Sequence, residues 1–133
     1  MNVLRDGIYA MYDGNATLKT ALAGGMHFEE APQGTAFPYG TFHLIHGVPV
    51  YTFTEESEVW MIQFSLFSES SSATEVETAY TALTALYDHA ESSLSVTGYS
   101  STILERDFQD LYHNDTDDFW QYSVGYTVRI QKD

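Results

Sequence analysis

The sequence predicts an α+β domain: an antiparallel β-sheet with helices packed on one face. Three observations carry this. Trp120, Tyr122, Val124, Tyr126, Val128 and Ile130 alternate with Gln121, Ser123, Gly125, Thr127, Arg129 and Gln131, the pattern of a strand with one covered face. Val59–Phe67 repeats that period, with Trp60, Ile62, Phe64 and Leu66 on one side. Between these strands Val76, Tyr80, Leu83, Tyr87 and Ala90 recur at helical spacing. The 133 residues are 44% hydrophobic and 15% aromatic, too apolar for a disordered chain, and suit a single domain over 1–133. A chain of this length buries roughly two thirds of its unfolded surface, so one core suffices without staples.

Val3–Tyr12 places Leu4, Ile8, Met11 and Tyr12 on one helical face, and Asp13-Gly14-Asn15 breaks it with turn chemistry. Thr17–Ala23 reads as a short second helix stopped by Gly24-Gly25. Met26–Glu30 is a short strand. Ala31–Pro38 is a loop, because Pro32 and Pro38 resist regular pairing. Tyr39–His46 is a strand ended by Gly47-Val48-Pro49, and Tyr51–Glu58 an acidic loop between antiparallel partners. Ser72 and Glu75 have capping-box spacing at the start of a helix reaching about Ala90, its stripe widened by Ala79 and Leu86. Ser92–Ser100 is a linker containing Gly98. Thr102–Tyr112 has strand character in its first half, and Asp107, Asp110, Asp115, Asp117 and Asp118 make the rest of the segment up to Phe119 acidic and loop-like. No internal repeat or domain-splitting linker interrupts this order.

Nineteen Asp and Glu against five Lys and Arg give a net charge of −14, a field that repels phosphate backbones and anionic membranes. No apolar stretch reaches the ~20 residues of a membrane helix, and residues 1–6 lack the pattern of a secretory signal. With no cysteine there is no disulfide and no thiolate metal site. His43 and His46 sit in a strand, where odd spacing sends their rings to opposite faces, and His27, His89 and His113 fall in separate elements, so no Zn site is implied. The Asp107–Asp118 stretch lacks the ligand spacing and central Gly of a Ca²⁺ loop. There is no Gly-x-Ser-x-Gly elbow and no Gly-rich phosphate cradle. The carboxylate pairs Glu29-Glu30 and Glu55-Glu56 carry no glycosidase signal by themselves. The residues therefore describe an α+β domain with no visible active site, cofactor site or metal site.

Three segments add a resemblance. Leu4–Ala10, followed by Leu18, Leu22 and Gly24-Gly25, looks like the opening helix and turn of phage tail-completion proteins. Ala31-Pro32-Gln33-Gly34-Thr35-Ala36-Phe37-Pro38-Tyr39 resembles that family's Ala-Pro-Gln-Gly…Phe-Pro-Tyr motif. Glu105-Arg106-Asp107-Phe108, Tyr112-His113, Asp118-Phe119-Trp120 and Val124–Val128 are similar to its last two strands and their acidic connection. The chain departs from that pattern in its longer, Ser-rich linker after the long helix and in its acidity.

The resemblance implies a tail terminator: a ring-forming subunit, sixfold in the family, that caps the head-proximal end of the tail tube. It implies no enzymatic activity, assembly in the host cytoplasm and a place in the virion neck. Its partners would be copies of itself, the tail tube protein and the head-side connector or stopper, with DNA passing through unbound. Glu55, Glu56 and Glu58, and Asp115, Asp117 and Asp118, are candidate bore or interface loops; Pro32, Gln33, Gly34, Pro38 and Tyr39 form the family-motif loop. Two other readings are open. A ferredoxin-like α+β enzyme or ligand-binding protein would gather Trp60, Tyr80 and Trp120 around an aromatic pocket, and an acidic DNA mimic would use the net charge.

Overall fold

The computed structural model describes residues 1–133 and has the predicted α+β architecture, helices on one face of a single five-stranded sheet. Its elements are α1 (Asn2–Asp13), α2 (Ala16–Ala21), β1 (Met26–Phe28), β2 (Tyr39–Tyr51), β3 (Glu56–Ser68), α3 (Thr74–Tyr87), β4 (Tyr99–Asn114) and β5 (Phe119–Lys132). The strand order is β1-β2-β3-β5-β4. Every neighbouring pair is antiparallel except β1 with β2, which is parallel, so the sheet is mixed rather than wholly antiparallel. The parallel pair is reached through the Ala31–Pro38 loop, which carries the chain back beside its own short strand.

The core lies between the helices and the face predicted from alternation. Phe42, Ile62, Phe64, Leu66, Val124, Tyr126, Val128 and Ile130 are buried there, with Leu4, Ile8, Val76, Leu83 and Tyr87 from the helices above. Phe64 is its centre, its ring 4.7 Å from Tyr87, 5.7 Å from Tyr126 and 5.9 Å from Phe42. The buried Tyr87 hydroxyl donates to the Ile8 carbonyl at 2.8 Å, tying α3 to α1 and satisfying a polar atom that would otherwise be costly. Burial pushes the Tyr87 hydroxyl well above the usual phenol range.

Several boundaries differ from expectation, each for a local reason. β2 does not stop at Gly47-Val48-Pro49 but runs on to Tyr51. A Cβ on Gly47 would lie 2.5 Å from the Trp60 ring across the ladder, so glycine here makes room for an aromatic instead of ending the strand. The acidic connection shrinks to the few residues between Tyr51 and Glu56. β4 continues through Asp107 and Asp110 to Asn114, because an edge strand with open solvent beside it tolerates charge. The capping box does not form. Glu75 accepts from Ser68 Oγ at 2.7 Å, and Ser72 Oγ accepts from the Thr74 N–H at 3.4 Å. α3 ends at Tyr87, before Ala90, where Asp88 leaves the helix to accept from Tyr126 Oη at 2.6 Å and pair with Arg106 at 3.3 Å. The Ser-rich linker is anchored by Leu94 and Val96, both buried in the core.

Candidate functional site: two open edges and two hairpin tips

The sheet has two borders of unequal make-up. On one side β1 covers β2 only at Gly40–Phe42. The Gly40 N–H donates to Gly25 and the Phe42 carbonyl accepts from the Glu29 N–H, so these residues turn their backbone groups outward. Alternation carries that direction to Leu44 and, past a bulge at Ile45, to Gly47, Pro49 and Tyr51, all opposite even-numbered residues of β3. Beyond β1 these groups have no strand partner. Pro49 occupies an outward-facing position, where its missing N–H disrupts no ladder bond. From Ala31 to Thr54 the chain carries no Asp, Glu, Lys or Arg, although the whole chain is at −14.

On the other side β4 is the border along its full length. Leu104 turns its carbonyl outward, where it is capped by the His89 N–H at 3.0 Å. The same alternation turns Arg106, Gln109, Leu111 and His113 outward, all in the half of β4 that pairs with Phe119–Tyr126. This border has two bulges and carries Glu105, Arg106, Asp107 and Asp110, the devices that blunt an edge strand. Arg106 is fastened to Asp88 and donates to the Tyr80 hydroxyl, and Tyr80 stacks on Tyr122 at 4.0 Å. Burial raises the Tyr126 hydroxyl, and its bond to Asp88 adds to this.

The two acidic loops lie at opposite ends of the sheet. Ser57 pairs with Gln131, whereas Asn114 pairs with Phe119 at the other end of β5, a separation of about 40 Å at strand rise. Glu55, Glu56 and Glu58 flank the β2–β3 tip. Glu56 meets Lys132 at 3.7 Å with both side chains well exposed, and Glu58 accepts from the Trp60 indole at 3.1 Å. The tip also carries two aromatic rings, Tyr51 and Phe53, that stand in solvent. Asp115, Asp117 and Asp118 form the β4–β5 tip, which is closed on itself. Asn114 Oδ1 accepts from the N–H groups of Thr116 and Asp117 at 3.0 and 2.9 Å, and His113 bonds Asp115 at 2.9 Å and Asp118 at 3.2 Å.

The family-motif loop packs on the turn that precedes β1. Thr35 N–H donates to the Pro32 carbonyl at 3.1 Å, closing a turn that includes Gln33 and Gly34, the latter at φ +83°. The Pro38 carbonyl accepts from the Gly24 N–H at 2.9 Å, and a Cβ on Gly24 would collide with the Ala36 carbonyl oxygen. Gly24 is therefore required by close approach of two backbones. Tyr39 stacks on Phe67 at 5.0 Å on the sheet face away from the helices.

The aromatic pocket does not assemble. Trp60 lies against Gly47 near one end of the sheet, Trp120 beside His113 at the other, and Tyr80 stacks on Tyr122 between them. An open groove of about 1090 Å³ lies between α2 and α3, walled by alanines, threonines, Glu75 and Glu77. The bulge at Ile45 changes the side of His46, so His43 and His46 share one face, opposite Gln63 and Met61, contrary to the simple odd-spacing rule. Sequence reasoning missed both the bulge and the open length of β2. The uncharged run from Ala31 to Thr54 was the one signal for the latter.

No family model matches the chain, and no curated protein matches it. Among solved structures, a chain from the virion of a native gene transfer agent particle is similar with a TM-score of 0.78 at 14% identity, over 96% of this chain and 94% of that one. A second solved structure is similar with a TM-score of 0.53 at 15% identity, over 93% and 94% of the two chains. The chain thus shares its fold, nearly end to end, with a component of a gene transfer agent particle.

Proposed function

We propose that this chain is a structural virion protein of a phage-like particle, with no catalytic role. In this reading it forms a ring, of six copies, that caps the head-proximal end of the tail tube and receives the head-side connector or stopper. The observation that carries the reading is the end-to-end fold likeness to a chain of a gene transfer agent virion. The tail-completion motifs at Leu4–Ala10, Ala31–Tyr39 and Glu105–Val128 support the more specific role. The two borders add a physical basis, since unlike open edges on one subunit favour a head-to-tail contact, which gives a ring where the rotation between copies closes.

An acidic wall suits a passage for DNA, because like charge keeps the polyanion from adhering. The two acidic loops would serve it at different levels, being about 40 Å apart along the strands. The reading is tested by imaging the purified protein with tail tubes in negative stain. Rings seated at one end of each tube, with tube growth halted there, are expected. Tubes that keep elongating with bare ends in the presence of excess protein would count against it.

A further inference from the structure

We propose that neighbouring copies join by pairing the open half of β2 on one copy with the open half of β4 on the next, antiparallel and head to tail. This rests on the ring reading above and names the interface it would use. Four observations point to it. First, seven large apolar side chains are exposed, and six of them lie on these two borders: Ile45, Val48, Tyr51 and Phe53 on β2 and its tip, and Phe108 and Tyr112 on β4. Exposed apolar groups scattered singly mean little, but their concentration on two strand edges marks surfaces that a partner covers.

Second, the backbone groups are free where the pairing needs them. Leu44, Gly47, Pro49 and Tyr51 face outward on β2, and Arg106, Gln109, Leu111 and His113 face outward on β4. β1 occupies the rest of one border, and the His89 contact occupies the β4 border at Leu104. Third, the strand directions agree. β2 and β3 are antiparallel, as are β3 and β5, and β5 and β4, so β2 and β4 run opposite ways; because their open halves lie toward opposite ends of the sheet, copies staggered along the strands by about six residues, roughly 20 Å, bring them together antiparallel. Fourth, charge disfavours pairing β4 with another β4. β4 against β4 would bring Glu105, Asp107 and Asp110 up against their own copies, whereas β2 offers a border with no charge from Tyr39 to Tyr51. A second copy is therefore the occupant that fits, and strand addition is the mode.

The test uses two single-edge variants of the full chain. Val48→Asp places an acid on the β2 border, at an exposed side chain. Gln109→Pro removes an outward N–H from β4, at an exposed residue whose backbone does not bond β5. Both are first checked for a native circular dichroism spectrum and a cooperative thermal transition; Gln109→Ala, which keeps the N–H, and Val48→Lys, a cation facing the acids of β4, serve as controls that assemble like the unsubstituted chain. Sedimentation velocity then reads the size. Each variant alone is expected to lose self-association by more than tenfold, while an equimolar mixture forms a dimer and nothing larger, because only one intact pair of edges remains.

If Gln109→Pro alone dimerises and Val48→Asp does not, β2 meets its own copy and the head-to-tail pairing is overturned. If the unsubstituted chain assembles and both variants assemble equally well, edge pairing is overturned while the ring survives. If the unsubstituted chain stays monomeric at every concentration and on tail tubes, the ring reading falls together with the pairing.

Discussion

β2–β3 and β4–β5 are both long antiparallel hairpins, and each sets an aromatic ring over a glycine directly across the ladder: Trp60 over Gly47 in the first, Phe108 over Gly125 in the second. They differ in which way they face and how they finish. Trp60 lies on the helix-covered face, half-buried and bonded to Glu58, whereas Phe108 lies on the open face and is exposed. The β4–β5 tip satisfies its polar groups internally through Asn114 and His113. The β2–β3 tip leaves Tyr51 and Phe53 in water. Both turns are closed by hydrogen bonds, the β2–β3 one between Thr52 and Glu55, but the β2–β3 tip also leaves aromatic groups with no cover within the subunit. The contrast separates what the fold requires from what the surface presents.

The largest effect is expected where the hairpins share a core. Phe64→Ala removes the ring that Phe42, Tyr87 and Tyr126 surround, and should cost about 3–5 kcal/mol in urea denaturation, close to unfolding the domain. A sharper comparison comes from the two glycines. In Gly47→Ala the new Cβ meets the half-buried indole of Trp60, which has little room to yield, so a loss of about 1–3 kcal/mol is expected. In Gly125→Ala the new Cβ meets the ring of Phe108, yet that ring can swing into solvent, and the loss should stay under about 1 kcal/mol. Equal losses at the two sites would undo the distinction between the faces.

A smaller, pH-dependent effect should appear on the β4–β5 side. Burial and the bond to Asp88 raise the Tyr126 hydroxyl, and burial raises that of Tyr87. An unfolded tyrosine loses its proton near pH ~10. Below that pH both states are protonated and the full stability is present. Above it the unfolded state releases protons that the folded state keeps, so stability falls as pH rises. Chemical denaturation from pH 8 to 11 should show this decline, and Tyr126→Phe should make it shallower while costing roughly 1 kcal/mol at pH 8 through the lost bond to Asp88.

Much of the fold was legible because burial imposes a period. β5 reads from Trp120 to Ile130 because its whole inner face is apolar, and α1 and α3 show their stripes for the same reason. The errors fall where burial stops dictating. β4 beyond Arg106 has no buried residue, so its sequence resembles an acidic loop although its backbone is laddered to β5. Pro49 reads as a strand end because a sequence does not say which way a missing N–H points. The parallel pairing of β1 and the bulge at Ile45 depend on contacts made only after the chain has folded back. The candidate site was partly legible. The acidic loops were found as loops or loop margins, but their placement at opposite ends comes from a strand order that composition does not encode.

Native mass spectrometry of the purified chain, from low micromolar concentration upward, tests the central claim most directly. A single closed oligomer built from 15.0 kDa subunits, without a ladder of larger species, is the predicted result. A 15.0 kDa monomer throughout, or an open series that lengthens with concentration, would contradict a subunit shaped to close a ring.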